Sequence, residues 1–516
     1  MTKQSFLKGT IILIIAGMIT RFLGFINRLV VARVMGQVGV GLYMMALPTL
    51  FLVLTLTQIG LPTAISKRVA EATTKGQKHK VKQILIVSLT ITGCTSIFIT
   101  IGLVSLIPWI STNLYTDQRV LFPLYAISPV IPIIAISSVL KGYFQGKQNM
   151  KPQSYALIIE QVIRICFVAL FIKWLMPFGV EYAAAGAMFS IILGELISLL
   201  YMIFLFKRNK TFRVRRQFFS YLTASKQTIK ELFSIALPNT GSKLINSITQ
   251  FLEPILVAQS LAIAGMTTTA ATMAYGQLTG YVLPLLFLPT FITHSLSIAL
   301  VPAISESEAM QQQTFIHHRI QQAIRISFAS GALATIVFTI FRDPILLFMY
   351  GSSDASELLL LMAPFYLFLY IQAPLQSALL ALDLAKPAMF NSLFGAVIKL
   401  SLLYFLATKP NLEIVGVAIS MCVSVILVTF LHLHALRQTI RFKIPFKELI
   451  KMIGLLIVTY GVSSCFYHFY QVTSQGIILF LITLSLLALV YLVIVLLMRF
   501  ITRDELRQLP FIQKWF

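Results

Sequence analysis

Eight ionisable side chains fall inside long apolar runs of the 516-residue chain: Arg21, Arg28, Glu160, Arg164, Glu195, Lys243, Glu253 and Lys399. Five are cations and three are carboxylates. A cation at the centre of a bilayer costs about 2.5–3.5 kcal/mol even on the mildest insertion scale. Such groups face a wet or ligand-filled interior, or they pair with one another. If all eight share one cavity, it is net positive and suits an anionic substrate. Arginine is the side chain best matched to phosphate, because its planar fork donates two parallel hydrogen bonds.

Their spacing places them on helix faces. Gly17, Arg21, Gly24 and Arg28 advance by four, three and four, so they form one stripe. At roughly 1.5 Å per residue, the two arginines lie about 10 Å apart along the axis. Lys243, Asn246, Gln250 and Glu253 advance by three, four and three, a second polar stripe that ends at Pro254, an expected kink. Lys243 and Glu253 are too distant to pair with each other. Glu160 and Arg164 are at i,i+4, which allows either a structural ion pair or a site. Glu195 follows Gly194 and can partner an arginine, and Lys399 follows Asn391 and Gly395 at fourfold spacing. The expected substrate cations are Arg21, Arg28, Arg164, Lys243 and Lys399. Glu160, Glu195 and Glu253 are expected to hold those cations or to bind a coupling ion.

The elements that must carry these residues are transmembrane helices. The chain is 58% hydrophobic and 11% charged, with a mean hydropathy of +0.87, where soluble chains carry about 25% charged residues. Apolar runs of about 20 residues recur about fourteen times, each long enough to span a bilayer. An outer-membrane barrel would instead alternate apolar and polar residues over about 10-residue segments. The expected fold class is an all-α polytopic membrane protein, with two six-helix lobes and two C-terminal helices. Residues 1–206 form the N-terminal lobe, 207–230 a basic cytoplasmic linker, 231–436 the C-terminal lobe, and 437–516 two further spans and a tail. Spans two and eight echo each other at Pro62/Pro302, Ile65/Ile304 and Ser66/Ser305, the internal repetition common in transporters.

Alternate loops collect the basic residues. Of the 41 Lys and Arg, 31 fall on one side. Five fall on the other, namely Arg33, Arg119, Lys173, Arg342 and Lys409, and the remaining five are within spans. The positive-inside rule makes the rich side cytoplasmic, with both termini there. The formal net charge of +24 is thus topology and anionic-lipid contact, not a nucleic-acid footprint. The first apolar run follows Lys3 and Lys8 as a signal peptide would, but it is too long and lacks a cleavage site, so it is expected to be retained.

Enzyme signatures are missing. There is no Walker P-loop, HExxH or dinucleotide glycine fingerprint. Cys94, Cys166, Cys422 and Cys465 show no metal-ligand spacing. Most of the seven histidines are in or near loops, only His294 being well inside a span; His432 and His434 are two apart, on different helix faces, which argues against a zinc site, and Gly36, Gly39 and Gly41 read as a tight outer turn. No catalytic residue, metal or cofactor is expected.

The N-terminal stretch FLKGTIILIIAGMITRFLGFINRLVVARVMGQVGVGLYMMALPTLFLVLTLTQIGLPTAISKRVAEA resembles the stage V sporulation protein B family of spore-forming Firmicutes. Ile159–Ile165, Gly194-Glu195 and Val397–Leu400 fit the same family. The resemblance covers essentially the whole chain. It implies membership of the multidrug/oligosaccharidyl-lipid/polysaccharide exporter superfamily, whose member MurJ flips lipid II. It further implies a V-shaped, two-lobed fold working by alternating access, and a role in spore cortex peptidoglycan. Of the MurJ pattern, Arg21, Leu23, Gly24 and Phe25 match; Asn27 stands where the second Arg is expected, and Arg28 is one later. The MurJ acids and arginines of the second and eighth spans have no counterpart at Gly41–Leu54 or Tyr275–Thr279.

The expected function is translocation of an undecaprenyl-pyrophosphate-linked peptidoglycan precursor, lipid II-like, across the cytoplasmic membrane, including the membranes around a forespore. The expected partners are that lipid-linked oligosaccharide, membrane lipid and peptidoglycan synthases, with the chain a monomer. The alternatives are a cation-coupled drug or polysaccharide-lipid exporter, a non-transporting scaffold for cortex synthases, and a membrane-embedded polymerase or glycosyltransferase.

Overall fold

In a computed structural model of the chain, residues 6–209, 226–473 and 476–500 are described, and all their regular structure is helical. In hydrocarbon no water satisfies backbone N–H and C=O groups, so a segment rich in Ile, Val and Phe still coils to bond itself. The basic linker's residues 210–225 and the tail's residues 501–516 lie outside the described residues.

Helix α1 (Phe6–Gln58) runs 53 residues with one break, at Gly36 with φ 72° and ψ 179°. A straight helix of that length would reach about 80 Å, far beyond a hydrocarbon core of about 30 Å. The break is where two expected spans meet. The tight outer turn expected around Gly36, Gly39 and Gly41 is therefore a single-residue hinge, which a residue without Cβ adopts cheaply. A second break at Ile59 and Gly60, with φ of 40° and 64°, opens α2 (Leu61–Thr74). Its Pro62 sits in the first turn, where the missing N–H is harmless.

There follow α3 (Lys78–Trp109), α4 (Leu121–Ile127), α5 (Val130–Gly146), α6 (Lys151–Leu175), α7 (Val180–Asn209), α8 (Lys226–Ile263), α9 (Thr268–Gly276), α10 (Leu283–Phe287) and α11 (Thr290–Ala309). The chain continues through α12 (Gln313–Ile340), α13 (Arg342–Tyr350), α14 (Ser356–Ala381), α15 (Ala385–Ala407), α16 (Glu413–Ile440), α17 (Phe446–Thr473) and α18 (Ile477–Leu497). Among the described residues ten helical runs are long and apolar enough to cross a membrane, or twelve when two bent pairs each count as one span. The pairs bend by 40° before Val130 and by 52° before Thr290, at Pro129 and Pro289, whose rings break the hydrogen-bond ladder. The expected count of about fourteen is not reproduced. One 60-residue run, Ile15–Thr74, holds two expected spans, and α8, with its polar stripe, is not among the qualifying runs.

The helices form two compact units: Met1–Gly280 with Ala407–Ile414, and Tyr281–Leu406 with Val415–Phe516. The division falls later than the expected lobe boundary in the 207–230 linker, because α8 and α9 pack on α1 and α2. Glycines allow that closeness. A Cβ on Gly41 would lie 2.1 Å from the Thr272 carbonyl oxygen, and one on Gly276 would lie 2.1 Å from that of Gln37. At the other end of the pairing, Thr55 and Ser247 hydroxyls bond at 2.8 Å. The first unit's core gathers Leu61, Ile65, Val139 and Tyr143, with Tyr143 edge-on to Phe206 at 5.3 Å.

In the second unit, Ile320, Ile324, Leu379, Phe442 and Leu455 form the core. The Tyr370 hydroxyl donates to the Leu286 carbonyl at 2.9 Å, and the Tyr491 hydroxyl donates to that of Ala329. His432 is fully buried on α16, its Nδ1 3.1 Å from Asn391 Nδ2.

Replacing Gly41 or Gly276 by alanine is expected to cost about 1–3 kcal/mol through overpacking against backbone that cannot move aside. Gly93→Ala, with no atom within 4 Å of the added Cβ, is the control. The comparison is of thermal unfolding midpoints in detergent.

Candidate functional site

The site starts at a backbone contact between α6 and α7. A Cβ on Gly194 would lie 2.7 Å from the Glu160 carbonyl oxygen, and one on Gly186 would lie 2.8 Å from that of Phe171. These two glycines, eight residues apart, press α7 onto α6 along more than two turns. The residue after Gly194 is thereby carried to the Glu160 side chain. Glu160 and Glu195 are both buried. Arg164 Nη2 donates to Glu160 Oε1 at 2.7 Å, and Gln161 Nε2 donates to the same oxygen at 3.3 Å. Glu195 hydrogen-bonds Glu160 and lies within electrostatic reach of Lys141 and Arg164. The Glu160–Arg164 spacing thus resolves as an ion pair, and Glu195 faces the pair's acid as well as its arginine.

Helix α1 closes the cluster. A Cβ on Gly24 would lie 3.9 Å from Gln161 Oε1, so the Gly17–Arg28 stripe borders α6. Buried Tyr43, past the Gly36 hinge, lies within electrostatic reach of Arg28 and Arg164. Asn27 is buried, whereas Arg21 and Arg28 are exposed. Among the described residues neither arginine forms an ion pair, in contrast to Arg164. One buried oxygen on each of Asn27, Gln161 and Glu195 has no hydrogen-bond donor. The unfilled acceptors of Gln161 and Glu195, the latter within the carboxylate pair itself, give the cluster capacity for a proton, a water or a cation.

On α8, Lys243, Asn246 and Gln250 are exposed together and Glu253 is half-buried, so the second stripe is one face, as its spacing requires. Glu253 lies within electrostatic reach of buried Tyr275. Lys399 is half-buried on α15 of the second unit. Seven of the eight intramembrane charges thus fall in the first unit. Lys141, Tyr43 and Gln161 join the site without having been singled out in the sequence. Lys141 counts there as a loop cation, while Gln161, next to Glu160, was the one available signal. Among the described residues no three His, Cys, Asp or Glu side chains gather to hold a metal.

A second polar knot ties the loop between α3 and α4 to α9. Buried Asp117 accepts from Arg119 Nη2 at 2.8 Å, Arg119 Nε at 3.0 Å and the Thr272 hydroxyl at 2.8 Å. Burial raises its pKa, but these bonds outweigh burial and hold it below the ordinary 3.8.

Residues 6–308 match the family model described as polysaccharide biosynthesis protein, and residues 247–405 match the MatE model. The chain is 48% identical over 512 residues to stage V sporulation protein B of Bacillus subtilis, covering 99% of each chain. It is 23% identical to lipid II flippase MurJ of the same organism, over 78% of this chain and 77% of that one. Its fold is similar to a solved structure of lipid II flippase MurJ in an inward closed conformation, with a TM-score of 0.69, 14% identity, and coverage of 93% of this chain and 97% of that one.

Glu160→Gln leaves a half-buried guanidinium without its carboxylate and is expected to cost about 3 kcal/mol, the lower end for breaking a buried pair, whereas Glu160→Leu with Arg164→Met recovers most of it. Thermal unfolding of the three proteins checks this. For Asp117 the folded pKa is below the unfolded one, so its stabilisation is complete above the unfolded value and is lost as pH falls through the folded value. Asp117→Asn is expected to cost about 1.5–3 kcal/mol near neutrality and to remove that acid step, read as the unfolding midpoint against pH.

Proposed function

The chain belongs to the polysaccharide biosynthesis protein family, alongside stage V sporulation protein B, and from that premise we propose that it is a flippase for a pyrophosphate-linked peptidoglycan precursor used in spore cortex synthesis. The observation that carries this reading is the contrast between arginines. Arg164 is neutralised by Glu160 at 2.7 Å, while Arg21 and Arg28 stay exposed on an otherwise apolar helix. Two cations about 10 Å apart on one helix face suit the two phosphates and first sugar of a lipid-linked head group. Lys243 adds an exposed cation, and Lys399 is a further candidate on the path.

In this mechanism the head group crosses against the arginine stripe while the prenyl tail stays in lipid, where its transfer to water would be costly. Glu160 and Glu195 hold Arg164 and Lys141 in place. The negative-inside potential drives the return of the unloaded carrier, a charge moving through it gaining about 2.3 kcal/mol per 100 mV.

The buried carboxylate pair favours a second reading, a cation-coupled exporter of other cargo. The two readings separate by mutation. Arg21→Ala with Arg28→Ala is expected to lower exposure of the precursor head group on the outer face at least about tenfold, the loss of roughly 1.4 kcal/mol of charge-assisted contact, with normal protein level in the membrane. Unchanged exposure would sink the arginine assignment. Transport that instead follows a cation gradient and fails in Glu160→Gln with Glu195→Gln would favour the second reading.

A further inference from the structure

Arg33 and Lys173, two of the five cations on the loop side poor in charge, are both exposed and line one cavity of about 520 Å³, with Val34, Met176 and Pro177 as its apolar part. Arg33 comes from α1 just before the Gly36 hinge, and Lys173 from the last turn of α6. The two helices meet at Gly24 and Gln161 and again at this cavity, nine and twelve residues on, so they run alongside in one direction. At about 1.5 Å per residue the two cations arrive at similar depth.

No acid lines the cavity. Glu181, the nearest carboxylate in sequence, folds back over Gly179, where a Cβ would lie 2.8 Å from its Oε1. Beside the cavity, Trp174 is 69% exposed, a residue type that marks a membrane–water boundary. Two cations, an apolar floor and an interfacial tryptophan make a receptor for a charged group with a chain attached.

We propose that this cavity binds the net-anionic phosphate headgroup of a lipid at the membrane surface, the outer one by the distribution of loop cations. The phosphate lies between Arg33 and Lys173, and the first carbons of the lipid lie on Val34, Met176 and Pro177. Both an anionic phospholipid and a prenyl pyrophosphate present this chemistry.

Trp174 is the reporter. The full chain carrying Trp109→Phe and Trp515→Phe is reconstituted in phosphatidylcholine vesicles with brominated phosphatidylglycerol or, separately, brominated phosphatidylcholine. At equal mole fraction the anionic probe is expected to quench Trp174 about fivefold more effectively, a surface cation contributing about that much enrichment. Arg33→Gln with Lys173→Gln is expected to abolish the difference, and Arg33→Lys to keep it, with unfolding midpoints confirming that each variant folds. Displacement of the probe by geranylgeranyl pyrophosphate, at lower mole fraction than unlabelled phosphatidylglycerol needs, assigns the site to the prenyl pyrophosphate; the reverse order assigns it to phospholipid. Equal quenching by both brominated lipids, a preference that survives in the double variant, or displacement by inorganic pyrophosphate alone would overturn the proposal. None of these readouts measures translocation, so failure here leaves the transport reading standing.

Discussion

The contact on which the charged interior depends is the backbone-to-backbone approach of α7 to α6 at Gly194. In an apolar interior an isolated carboxylate is expensive, and ion pairs offset that expense only when geometry is close. With no side chain at position 194, the α7 backbone comes up against the Glu160 carbonyl, and Glu195 is delivered to the Glu160–Arg164 pair as a consequence of chain connectivity. A larger residue there would push the helices apart and leave Glu195 facing neither its acid nor its cations.

The first helix extends that logic over the whole first unit. Its Gly36 hinge lets one continuous element present two faces: before the hinge, Gly24 of the arginine stripe beside Gln161 of α6; after it, Gly41 against the Thr272 carbonyl of α9. Backbone packed on backbone through glycine is the tight arrangement that membrane helices use when lipid offers no hydrophobic drive for association. Asp117 reinforces the second contact from the loop between α3 and α4 by bonding both Arg119 and Thr272. One element therefore links the exposed arginines, the buried charge cluster and the second polar knot. This is why α8 and α9 belong to the first unit and not to the lobe their sequence position implied.

The cations of this unit sit in different physical situations. Arg164 is compensated inside the bundle, and Arg119 at its rim. Arg21, Arg28, Arg33 and Lys173 are exposed on helices that are otherwise apolar. Exposed cations thus stand at two heights along α1 and α6.

Much of this was legible in the sequence. Hydropathy and helical periodicity are properties of one segment, so the all-helical membrane class, the sorting of basic loops and the two polar stripes follow from residues a few positions apart. The i,i+4 spacing of Glu160 and Arg164 is likewise local, and it forms the pair. The sequence alone could not say that Glu195 meets Glu160, that Lys141 joins them, that His432 is buried against Asn391, or that Gly36 is a hinge inside one helix and not a loop. Those facts depend on distances between helices. Such distances are decided by where glycines let backbones touch and by how the remaining side chains fill the space between, which only the folded chain specifies.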